Sequence, residues 1–141
     1  MANENKILIK ECCSRMIQSE VNDWAIDENE TIQSSNTGSN FQLRIYLPPD
    51  YNPERAVPYP VAYFQDGTEY LSLGSAANVI DNLIDENLID EIIAVFVKPN
   101  NRNEEYAGNI RNEYRLFFVE ELVPFIDGNY RTIKHPLGRA V

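Results

Sequence analysis

The sequence predicts an α/β fold in which N-terminal antiparallel strands lead into a βαβ parallel core. Three observations predict it. Residues 41–47 alternate apolar and polar side chains, the mark of a strand with one covered face. Two short apolar runs, Val61–Phe64 and Ile92–Val97, read as strands covered on both faces. Between them, residues 75–87 place apolar side chains at helical spacing.

The elements follow in order. Residues 6–20 lack a clean period and allow a short helix. Residues 27–40, rich in Glu, Asn, Ser, Thr and Gly, read as a loop or exposed edge strand closed by a turn at Asn36-Thr37-Gly38. In the first clear strand Phe41, Leu43, Ile45 and Leu47 alternate with Gln42, Arg44 and Tyr46. Pro48 and Pro49 stop it, because proline has no N–H to give a ladder. After Val61–Phe64, Gln65-Asp66-Gly67-Thr68 ends the second strand. In the helix over 75–87, Ala76, Val79, Ile80, Leu83 and Ile84 form one stripe and Asp81, Asn82, Asp85 and Glu86 the other face. A strand–helix–strand crossover of this length makes the flanking strands parallel.

Lys98–Asn112 reads as a polar loop. A second helix follows, with Tyr114, Phe118, Leu122 and Ile126 on one stripe and Pro124 kinking or ending it. Tyr130–Leu137 is a linker, and Gly138–Val141 reads as the start of a third parallel strand. The expectation is an incomplete domain: an N-terminal extension and edge segment over 1–40, then a partial α/β domain over 41–141. Ile92–Val97 is expected to expose part of its edge or one face, and self-association through that exposed sheet is the expected consequence.

Charge narrows the function. Twelve Lys and Arg face twenty-two Asp and Glu, a net −10, and residues 66–97 hold seven acids and no base. That balance argues against nucleic-acid binding and against docking on an anionic membrane. No apolar run approaches the roughly 18 residues of a membrane helix. Met1–Asn5 is not the basic start of a signal peptide. Cys12 and Cys13 are adjacent, a strained geometry for a mutual bridge, and no His lies nearby to complete a metal site. Free thiols fit a reducing, cytoplasmic location, and no metal or cofactor is expected.

Five segments carry a resemblance: Arg44–Tyr51, Tyr59–Gly67, Arg102–Tyr106, Glu120–Asp127 and Tyr130-Arg131. In this order they resemble the esterase family that includes esterase D-like and enterochelin esterase-like α/β-hydrolases, over about Phe41 to Val141. The resemblance implies an incomplete α/β-hydrolase fold. In that family the segment resembling Gly138–Val141 is followed by the Gly-x-Ser-x-Gly nucleophile elbow, with the acid and histidine later. None of these three positions is present here, so no catalytic residue is assigned, although the complete form would act on a small ester substrate through an acyl-serine.

What remains is the rim of a site. Ligands of open α/β sheets bind beyond the carboxyl ends of the strands. The Gln65–Leu71 loop occupies the family's place for one oxyanion-hole donor, and the amide of Gly67 or Thr68 would donate. Gly67 also allows the tight turn and close approach. Gln65 and Asp66 share that loop. Arg102, Glu105 and Tyr106 organise the second loop by ion pair and packing, as structural support. Ser75 reads as a helix cap and His135 as a surface residue. The competing readings are a non-catalytic partner-binding module and a distinct small hydrolase using a Cys or His135.

Overall fold

The structure, a computed structural model, describes residues 25–141. The helix expected over 6–20 and Cys12-Cys13 lie outside the described residues.

Alternation in sequence becomes two-sidedness in space. β1 (Ala25–Gln33) and β2 (Asn40–Leu47) form an antiparallel pair. β3 (Val61–Phe64) and β4 (Ile93–Val97) run parallel, with Val61 opposite Ile93 and Phe64 opposite Phe96. β2 also meets β4, antiparallel, and β5 (Arg139–Ala140) joins the other side of β3 in parallel. The order is β1-β2-β4-β3-β5. The antiparallel start, the parallel core and the third parallel strand are all as expected. One expectation is overturned: all five residues of β4 are buried, because β2 and β3 occupy its two edges. Among the described residues the sheet ends on β5, not on Ile92–Val97.

Two helices lie in segments read as loops. α1 (Gly67–Ser72) follows β3 directly, and the amides of Glu69 and Tyr70 both return to the Asp66 carbonyl, at 3.0 and 3.2 Å. α2 (Ala76–Asp85) is the expected crossover helix. Ser75 precedes it with φ +47°, but its side chain makes no capping hydrogen bond, contrary to expectation. α3 (Arg102–Tyr106) replaces part of the expected polar loop, and Asn101 caps it by accepting from the Glu104 amide. α4 (Arg111–Leu116), a π-helical turn (Phe117–Leu122) and α5 (Val123–Asn129) run on from one another. Pro124 therefore does not end the helix. The Val123 N–H reaches back to the Phe118 carbonyl, and this wider turn accommodates the proline ring that follows.

The two sheet faces have separate cores. Phe41, Leu43, Ile45, Val61, Tyr63, Ile93 and Val95 pack against the 111–129 helices. Phe41 stacks on Phe117 with ring centres 4.2 Å apart, and Tyr63 meets Phe118 edge-on at 5.3 Å. On the opposite face Ala94 and Phe96 pack against α2, and Phe64 stacks on Phe96 at 4.8 Å. The buried Tyr46 hydroxyl donates to Asp81 of α2 at 3.0 Å. That bond lets α2 bury a carboxylate, which without a partner would cost several kcal/mol. The last strand is held by an Arg139–Asp127 ion pair, and Thr132 Oγ1 donates to the same carboxylate at 2.6 Å. No helix among the described residues is long and apolar enough to cross a membrane.

The β1–β2 connection turns where expected. Gly38 takes φ +72°, and its N–H donates to the Ser34 carbonyl at 3.0 Å. Glu121, on the π-helical turn, accepts from the Ser35 amide at 2.8 Å, the Ser35 hydroxyl at 2.5 Å and the Asn36 amide at 3.3 Å. Desolvation alone would raise its pKa, but the hydrogen bonds from Ser34, Ser35 and Asn36 win and hold it at about 2. Because the folded value lies below the ordinary 4.5, the stability Glu121 contributes is complete above about pH 4.5 and is lost as pH falls toward 2. Glu121→Gln should lower unfolding free energy by about 1–2 kcal/mol at pH 7. In urea melts the gap between the two proteins should narrow steadily below pH 4.5, and a gap independent of pH would contradict the assignment.

Candidate functional site

β3 and β4 are parallel, so their carboxyl ends open on one side and the segments leaving them meet there. The Tyr106 hydroxyl donates to the Gln65 carbonyl at 2.7 Å and lies 3.2 Å from Asp66 Oδ1. Arg102 donates to Asp66 Oδ2 at 3.0 Å and stands 3.7 Å from Glu69. Gln65, Asp66, Arg102 and Tyr106 are thus brought together. Burial, with the Asp66 carboxylate next in weight, pushes the Tyr106 phenol up, so it stays a donor at neutral pH.

These contacts are unequal. The Arg102 side chain is 53% exposed, and an exposed ion pair is worth about 0–1 kcal/mol. The part-buried Tyr106 bond leaves a carbonyl unsatisfied if lost, a cost of about 1–3 kcal/mol. Tyr106 is therefore the firmer link between the loops. Glu105 plays a different part from an ion pair with Arg102. It is 2% exposed, and its Oε1 accepts from the amides of Asn100 and Asn101, each at 3.1 Å. It fixes the turn from which α3 starts.

Gly67 is pressed against β4. A Cβ placed on it would lie 2.5 Å from the Phe96 carbonyl carbon and 2.6 Å from the Val97 nitrogen. Only glycine allows the chain to pass so near another backbone. Gly67 and Thr68 are the first two residues of α1, so their N–H groups have no intrahelical carbonyl to meet. Gly67 is buried and Thr68 exposed.

Two cavities flank this turn. One, of about 380 Å³, includes Gly67 and Thr68 in its wall together with Arg44, Lys98, Ser72 and Ser75. The other, of about 510 Å³, is lined by Gln65 and Tyr106 with Arg111, Arg115, Val119 and Val141. Sequence reasoning missed Arg44 and Lys98 as a pair. The signal was present in strand alternation, but it needed the register of β2 against β4. His135 is exposed, and its Nδ1 accepts from the Leu137 amide at 3.2 Å, capping a one-turn 3-10 helix at Pro136–Gly138. No grouping of three or more His, Cys, Asp and Glu able to hold a metal occurs among the described residues.

The family model described as "Putative esterase" matches residues 34–141. The chain belongs to that esterase family. It is 30% identical to YjcH of Bacillus subtilis (strain 168) over 124 residues, 81% of this chain and 51% of that protein. It is 29% identical over 123 residues to an endo-1,4-beta-xylanase/feruloyl esterase of Xylanibacter ruminicola, covering 79% of this chain and 17% of the larger protein. A CE1 ferulic acid esterase from Anaeromyces mucronatus, solved in complex with ferulic acid, superposes with a TM-score of 0.68 at 21% identity, over 87% of this chain and 49% of that one. The chain thus has part of an α/β-hydrolase fold and spans about half the length of YjcH and of the solved esterase.

Gly67→Ala should cost about 1–3 kcal/mol or more, since the backbone of β4 must shift to admit the methyl group. Gly128→Ala is the control: nothing lies within 4 Å of its added Cβ, and the position is helical. It should be neutral or stabilising by up to about 1 kcal/mol. Guanidinium melts of the two variants check the contrast, and equal midpoints would contradict it.

Proposed function

We propose that the chain supplies the oxyanion side of a serine esterase site acting on esters of small aromatic acids. The observation that carries this is the Gly67-Thr68 turn, at the carboxyl end of β3 and held against β4, in a chain of the esterase family. Attack on an ester carbonyl places negative charge on its oxygen. A fixed backbone N–H aimed at that oxygen stabilises the charge without reorganising during the reaction. The Tyr106 and Arg102 contacts set the angle at which the turn leaves β3. The acid component is inferred from the feruloyl esterase activity named for the Xylanibacter relative. The adjacent thiols Cys12 and Cys13 support a reducing, cytoplasmic setting for the same reading.

The nucleophile is a separate matter. None of the seven serines lies in Gly-x-Ser-x-Gly, and the single histidine caps its own turn. In this reading the chain alone does not turn over, because loss of a triad costs about 10⁴- to 10⁶-fold.

Purified chain should give no saturable hydrolysis of p-nitrophenyl acetate, p-nitrophenyl butyrate or methyl ferulate. Turnover that survives Cys12→Ala with Cys13→Ala and is blocked by a serine-directed phosphonate would overturn this. Fusion to the part of YjcH outside the matched region should give phosphonate-sensitive hydrolysis. In that fusion Thr68→Pro, which removes one N–H where a first helical turn tolerates proline, should lower kcat about 10²- to 10³-fold. A fusion that melts cooperatively yet hydrolyses none of the three esters sinks the proposal.

A further inference from the structure

We infer that the cavity between the β2–β4 pair and α1–α2 binds a small organic carboxylate with an apolar body. Strand parity puts two cations on its wall. Phe41, Leu43, Val95 and Val97 face the core under the 111–129 helices, so Arg44 and Lys98, one step out of phase, face α1 and α2. Register brings them close: Leu43 lies opposite Val97, and the Lys98 amide donates to the Gln42 carbonyl at 3.0 Å.

The surroundings select an anion. The protein carries −10, and residues 66–97, which supply most of the cavity wall, hold seven acids and no base. Yet no Asp or Glu lines the cavity. Asp66 turns to Arg102 and Tyr106, and Asp81 to Tyr46. Lys98 Nζ gives one N–H to Gln42 Oε1 at 3.3 Å, which leaves two to donate. No ion pair of Arg44 occurs among the described residues.

The floor selects the body. The half-buried Leu71 offers apolar surface to the cavity, and Phe96, opposite Arg44 in the register and 1% exposed, closes the cavity behind it. A volume of about 380 Å³ is at the small-ligand end of binding cavities and far exceeds a bare phosphate ion. An inorganic anion would leave the Leu71 side chain wet, whereas a carboxylate on a ring or short chain covers it.

Gly67 and Thr68 share this wall, so a ligand with its carboxylate between Arg44 and Lys98 extends toward the amides proposed to meet the ester oxygen. An ester that carries a second, free carboxylate is then hydrolysed in preference to the neutral esters, which react more slowly. Only that last step rests on the proposed function; the binding site itself does not.

Titrate the full 15N-labelled chain at about 20 mM salt with 3-phenylpropanoate, 3-phenylpropanamide and inorganic phosphate, following amide shifts. The carboxylate should bind saturably, with shifts at Lys98, Thr68 and Leu71, and about tenfold or more tighter than the amide or phosphate. R44Q and K98Q should each weaken it about fivefold or more, and either variant suffices if the other does not fold. Equal binding of acid and amide, phosphate as tight as the aryl acid, or unchanged affinity in a folded variant overturns the inference. Carboxylate binding together with an inactive fusion would overturn the catalytic reading alone. An active fusion without carboxylate binding would overturn this inference alone.

Discussion

β4 is covered on both faces and paired on both edges, and the other elements take their positions from it. Within such a strand no water reaches the backbone, so each N–H and C=O must be met by a neighbour. β2 meets one edge antiparallel and β3 meets the other in parallel. Side-chain size differs between the faces. Ile93, Val95 and Val97 fill the space under the 111–129 helices, whereas Ala94, opposite Tyr46, is the small partner of a large ring whose hydroxyl reaches Asp81. The turn after β3 is set by the same strand, since Gly67 rests on the backbone of Phe96 and Val97. The geometry of the site is therefore inherited from the core.

Elements long enough to show a period were legible. Phe41–Leu47 displayed its alternation, and residues 76–85 their helical stripe. α1 and α3, six and five residues long, were not, because a helix of one or two turns has no period to display. They depend on particular groups: the Asp66 carbonyl for one, the Asn101 side chain for the other. The burial of β4 was misjudged for another reason. Its composition showed that it must be covered, but nothing local says that a strand some fifty residues earlier in the chain covers its edge.

The site was legible in part. A glycine after an apolar strand marks a tight turn, and Gly67 has that role. The partners of Gln65 and Asp66 stand 36 to 41 residues away, and no spacing rule links them. Glu105 looked like a candidate for Arg102, yet loop amides claim it first, since a buried carboxylate needs donors that an exposed guanidinium does not supply. Arg44 and Lys98 sit on neighbouring strands, and their common facing follows only once the register is known.

The π-helical turn also bears on how this chain tolerates change in length. Tyr114, Phe118, Leu122 and Ile126 recur every fourth residue, and on a 3.6-residue helix such a stripe drifts by about 40° at each step. A wider turn at Phe117–Leu122 absorbs that drift, as though one residue had been inserted and retained. Removing a residue there would restore a regular spiral and rotate all that follows by about 100°. Ile126 would leave the core, and Asp127 would swing away from Arg139 and Thr132. Within this helix, then, a deletion is a more disruptive evolutionary step than most substitutions, and homologues that differ in length should do so outside Phe117–Asp127.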